Sequence, residues 1–85
     1  MLLKIIEAKY ISDYIIELTF NDGLTSKVDL KDHLHGSIFQ PLLDIQEFQK
    51  FSLNQWTIEW ANGADLAPEY LHDLAEKQLK ELSHS

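Results

Sequence analysis

Eighty-five residues exclude a second domain, because a chain of this length closes one hydrophobic core and no more. With 45% hydrophobic and 25% charged residues, three glycines and two prolines, the chain is neither disordered nor a fibrous repeat. Fourteen Asp and Glu against seven Lys, with no Arg, give a net charge of −7; this opposes phosphate and removes the best guanine-reading side chain, so no direct nucleic-acid binding is expected.

The first strand is expected over Leu3 to Ile11, rich in β-branched Ile5, Ile6 and Ile11, and joined to the second by a short Ser12-Asp13 turn. Tyr14, Ile16, Leu18 and Phe20 then alternate with Ile15, Glu17 and Thr19, the period of a strand with one buried face. After Asn21-Asp22-Gly23 the alternation resumes with Leu24, Ser26, Val28 and Leu30. A two-residue loop would set Phe20 opposite Thr25 and mix apolar with polar rows. A three-residue loop pairs Phe20 with Leu24 and Ile16 with Val28, and it suits a type I turn closed by a left-handed glycine bulge at Gly23.

Lys31 to Leu43, with Gly36 and Pro41, reads as an irregular connection. Asp44 is an N-cap for a short helix, with Glu47 placed to reach back and Ile45 and Phe48 facing the core. Trp56, Ile58 and Trp60 alternate with Thr57 and Glu59, predicting a further strand with both tryptophans on one face. At Ala61-Asn62-Gly63 the register argument again selects a three-residue bulged loop, which sets Leu66 beside Ile58.

Pro68 suits the first position of a helix, where its missing N–H costs nothing. Leu71, Leu74, Ala75, Leu79 and Leu82 follow at helical spacing, and Asp73 with Lys77 and Glu76 with Lys80 form i,i+4 pairs. The expectation is therefore one α+β domain over residues 1–82 and a frayed tail over 83–85. The domain comprises a small antiparallel sheet built from hairpins, one short middle helix and a C-terminal amphipathic helix.

Chemistry-bearing constellations are weak. Without cysteine there is no disulfide, thiolate nucleophile or cysteine zinc site. His33 and His35 have His-x-His spacing, yet no third ligand is placed by the sequence, and loop histidines account for them more simply. Asp65 lies between the Trp60 hairpin and the Pro68 helix, where amide donors gather; fixing that corner is favoured over holding a ligand. Trp56, Trp60, Tyr70, Phe39 and Phe51 offer anchors for a protein partner, although aromatic residues in so small a domain mostly fill the core. On the sheet's second face Ile15, Thr19 and Thr25 could meet a second subunit. No Ser-His-Asp order, phosphate-cradling glycine loop or H-E-x-x-H pattern occurs, so no enzyme and no cofactor are expected. Neither a signal peptide nor a membrane span is found, and the expected address is the cytoplasm.

Trp60-Ala61-Asn62-Gly63-Ala64-Asp65-Leu66-Ala67-Pro68-Glu69, together with Phe20-Asn21-Asp22-Gly23 and Val28-Asp29-Leu30, resembles the bacterial family called domain of unknown function 2442, over roughly Leu3 to Leu74. Members often carry proline where this chain has Ala61, the residue favoured at that position of a type I turn. The resemblance implies a small α+β protein with no assigned catalytic residues. Members are often encoded beside another small family in pairs resembling toxin and antitoxin modules, and some carry an added helix-turn-helix domain, which is not expected after the helix here.

The functional expectation is a non-enzymatic protein-interaction module, antitoxin-like or accessory to a small adjacent-gene protein, with a basic partner matching the acidic balance. The alternatives are a small-ligand or metal-binding protein, centred on Asp65 with Trp60 or on His33 with His35, and a structural homodimer. Trp60, Asn62, Asp65, His33 and His35 are the candidate contacts.

Overall fold

The structure is a computed structural model that describes residues 2–83, with side chains up to Lys80. The inward placement expected of Leu82 and the tail residues His84 and Ser85 lie outside what it describes. Three antiparallel strands, β1 (Ile5–Ser12), β2 (Ile15–Phe20) and β3 (Thr25–Asp29), form a sheet in the order β1-β2-β3. Two 3-10 segments (Lys31–His33 and Ser37–Leu43) lead to the single-turn helix α1 (Ile45–Phe48). A two-stranded ribbon of β4 (Ser52–Leu53) and β5 (Ile58–Glu59) follows, and α2 (Pro68–Ser83) closes the chain. The architecture is α+β. Among the described residues, no helix is long and apolar enough to cross a membrane.

The β2–β3 turn has the three-residue form. The Gly23 N–H donates to Phe20 O at 3.0 Å, the Phe20 N–H donates to Leu24 O at 2.8 Å, and Gly23 has φ +96°. Ile16 therefore pairs with Val28 and Leu18 with Ser26. Ile16, Leu18, Phe20, Val28 and Leu30 all lose essentially every contact with solvent. Each such side chain contributes roughly 1.5 to 3 kcal/mol of transfer free energy. The opposite face carries Lys9, Glu17 and Lys27 side by side across the three strands, and Thr25 Oγ1 donates to Thr19 Oγ1 at 3.2 Å.

The second turn repeats the first almost atom for atom. The Gly63 N–H donates to Trp60 O at 2.9 Å, the Trp60 N–H donates to Ala64 O at 2.8 Å, and Gly63 has φ +91°. Even the side-chain brace recurs: Asp22 Oδ1 accepts from Leu24 N at 3.1 Å, and Asn62 Oδ1 accepts from Ala64 N at 3.1 Å. Glu59 bridges Asp65, which sets Leu66 across from Ile58, both buried.

Several local expectations are corrected. The β1–β2 connection uses Asp13 and Tyr14 instead of Ser12 and Asp13, because Ser12 pairs with Ile15 after a bulge at Ile11. Asp13 takes the left-handed φ of 46° that Asp tolerates. Asp44 caps α1 through Gln46 N at 3.0 Å, whereas Glu47 turns to Lys50 at 3.1 Å. Phe48 is buried and Ile45 only half-buried. Leu79 is exposed. The buried stripe of α2 runs Leu71, Leu74, Ala75 and then Gln78, and position 79 lies about 90° around the axis from its centre. Gln78 uses its inward position to bond the backbone of β3, accepting from Asp29 N at 2.9 Å and donating to Asp29 O at 3.1 Å.

At Gly23 and Gly63 an added Cβ would meet no atom within 4 Å, so the barrier to substitution there is backbone conformation alone. Gly23→Val and Gly63→Val are each expected to lower unfolding free energy by about 1 to 2 kcal/mol or more, measured by urea denaturation; neutral values at both would contradict the bulged turns.

Candidate functional site

The sequence-predicted residues separate when placed in space. Trp60 is buried, its ring 5.7 Å from that of Phe48, and its Nε1–H donates to Phe48 O at 2.8 Å. It fastens α1 to the second hairpin and presents nothing to solvent. Asn62 braces its own turn and donates from Nδ2 to Ile38 O at 2.8 Å, tying that turn to the long connection. Phe39 and Phe51 pack against the core. His33 is half-buried with its Nδ1 2.8 Å from the Tyr70 hydroxyl, and His35 is exposed. Among the described residues, no three His, Cys, Asp or Glu are grouped to hold a metal ion.

Asp65 and Trp56 have different surroundings. Trp56 does not share the buried face of Ile58 and Trp60; it is 46% exposed. The cause is Asn54, whose Oδ1 accepts from both Trp56 N and Thr57 N at 2.7 Å. That side-chain turn interrupts the strand alternation and brings Thr57 inward, where its hydroxyl donates to Leu66 O at 2.6 Å. Trp56 O accepts from Ile5 N at 2.9 Å, so the backbone beneath the indole is pinned to β1 as well.

The displayed indole borders a surface groove of about 470 Å³. Leu2 and Leu3 contribute apolar surface from the chain start, and Ala67 and Pro68 from the start of α2. Among the described residues, Asp65 and Glu69 are the charged residues of the lining. Glu69 lies in the first turn of α2. A second, wider depression between α2 and the β3 edge mixes Lys27 and Lys77 with Asp29 and Asp32. Lys77 is already paired with Asp73 at 3.0 Å, and that pairing raises its pKa. The first groove is therefore the one with a single sign of charge, and it combines Asp65 with a residue the strand pattern had put in the core.

The sequence reading missed one cluster altogether. His72 Nε2 lies 2.7 Å from Asp22 Oδ2, and His72 Nδ1 lies 2.8 Å from Glu76 Oε1. Its ring stands edge-on to Phe20 at 4.8 Å. An imidazole carrying both protons satisfies both carboxylates, whereas a neutral ring donates to only one. The cluster ties α2 to the first glycine turn. His72 and Glu76 are one helical turn apart, but nothing in local spacing brings Asp22 to them.

The Asp22 carboxyl is held below its usual pKa, first by the Leu24 N–H and then by the His72 hydrogen bond. A depressed carboxylate contributes stability that is present above its unfolded pKa and lost as pH falls through the folded value. The melting-temperature advantage of the wild type over Asp22→Asn is thus expected to be full at about pH 5 and to shrink steadily toward about pH 2. A difference that stays constant across that range in thermal melts would contradict the assignment.

The model of the family described as "Protein of unknown function (DUF2442)" matches residues 5–77. No curated protein matches the chain. Among solved structures the fold is similar to that of NE0471 from Nitrosomonas europaea, described as a candidate DNA-binding protein, with a TM-score of 0.78 and 19% identity. The match covers 94% of this chain and 53% of that one, so the chain spans about half the length of that protein.

Proposed function

The chain belongs to the DUF2442 family, and from that premise we propose that it is a non-enzymatic protein-interaction module. The observation that carries this reading is the half-exposed Trp56, its backbone bonded to Asn54 and Ile5, in a groove whose lining charges among the described residues are both carboxylates. Exposed aromatic residues on pinned backbone are the residues that anchor protein partners. A rim of one sign steers a partner of the opposite sign, and the net charge of −7 extends that steering over the whole surface. The dispersal of the titratable groups also supports the reading: His33 is engaged by Tyr70, His72 by two carboxylates, and Lys77 by Asp73.

The finer form of the proposal is an antitoxin-like or accessory role beside a small, basic protein encoded next to it. The Nitrosomonas protein is described in terms of DNA, and the shared fold accounts for 53% of that chain. We assign the protein-facing role to this domain, because a chain with no arginine and a net charge of −7 is repelled by the phosphate backbone. The cytoplasm remains the proposed location.

Co-expression with the product of the adjacent gene is expected to yield a complex that comigrates in size exclusion. Its dissociation constant should rise by about tenfold or more between low and physiological salt, as charge-steered association requires. Separate elution of the two proteins at low salt would overturn the proposal, and retardation of a DNA duplex by this chain alone at physiological salt would replace it with the nucleic-acid reading.

A further inference from the structure

Resting on the interaction reading, we infer that the Trp56 groove takes an arginine-bearing segment of the partner, its guanidinium stacked on the indole and directed to Asp65 and Glu69. The inference follows from a mismatch between apolar and charged surface in one place. Trp56, Leu3 and Pro68 offer apolar surface, yet the charged side chains beside them, among the described residues, are the Asp65 and Glu69 carboxylates. Both carboxylates are exposed, and a purely apolar anchor would gain nothing from them, whereas a cationic one adds attraction to apolar contact. A lysine would supply charge, but its ammonium is strongly hydrated and gains less over an aromatic face.

Arginine meets both requirements. Its guanidinium is planar and weakly hydrated, stacks on tryptophan, and pairs with carboxylates through a fork of donors. Its methylene stem can lie along Leu3 and Pro68 as long cationic side chains do on apolar surface. A second copy of this chain is a poor occupant: it contains no arginine and would bring a charge of −7 against a charge of −7. The groove volume of about 470 Å³ lies within the range of small-ligand pockets and leaves room for an arginine side chain.

The test uses acetylated, amidated peptides of sequence Leu-Arg-Leu-Arg, Leu-Lys-Leu-Lys and Leu-Glu-Leu-Glu, titrated into the full chain at low salt and followed by amide chemical shifts. The arginine peptide is expected to bind saturably, with shifts centred on Trp56, Asp65 and Glu69. It should bind about fivefold or more tighter than the lysine peptide, and the glutamate peptide should not bind. Trp56→Ala should abolish saturation. Asp65→Asn combined with Glu69→Gln should weaken binding by about tenfold while thermal melts confirm that both variants remain folded. No binding, equal affinity for lysine and arginine, or shifts unaffected by Trp56→Ala would each overturn the inference. The wild-type complex with the adjacent-gene product separates the two levels. If that complex forms and survives Trp56→Ala, the groove assignment fails while the interaction reading stands; if it never forms, the interaction reading itself fails.

Discussion

Register is the constraint on which this small protein depends. In each hairpin a glycine at φ near +90° lets the chain turn through three residues, and the pairing that results carries every inward side chain of one strand opposite an inward side chain of the next. A slip of one residue would set Leu18 beside Lys27 in place of Ser26 and so mix the apolar row of one strand with the polar row of the next. With no disulfide and little area to spare, an 85-residue chain has no second means of choosing between those arrangements. The Asx braces, Asp22 on Leu24 and Asn62 on Ala64, reinforce the same choice at both corners. Asp22 does more, because its other oxygen holds His72 and so fixes α2 to the first turn.

Where structure is decided by neighbours in sequence, the sequence was readable. The alternation of Ile16, Leu18 and Phe20, the glycine-ended turns, the Asp44 cap and Pro68 at the head of α2 all express rules acting over a few residues. Three features that the local pattern did not show each involve a side chain reaching past its immediate neighbours. Trp56 kept the period of Ile58 and Trp60, yet Asn54 captured two N–H groups and broke the strand beneath it. Leu79 follows Ala75 by four residues, but Gln78 lies closer to the centre of the buried stripe and bonds a strand 49 residues away. His72 and Asp22 are 50 residues apart, and only the folded sheet brings them together.

The same distinction governs the candidate contacts. Trp60 and Asn62, both prominent in the hairpin motif, are consumed by the fold as an anchor and a brace. Asp65, one step further along, is left at the surface, and the chain start and the head of α2 converge beside it. The motif by which the family is recognised is thus largely architectural. The proposed partner-facing groove is assembled from its edge and from residues such as Leu2, Leu3 and Trp56, which lie outside it.

The amide of Gln78 occupies the place that a neighbouring strand's peptide unit would take at Asp29. One consequence concerns solvent hydrogen exchange. The Asp29 amide faces away from β2, so its protection is borrowed from the helix. Its exchange rate therefore reports release of the Gln78 contact between α2 and β3, while Val28 beside it, paired with Ile16, reports the melting of the sheet. Two adjacent amides become separate clocks for two different openings of the molecule.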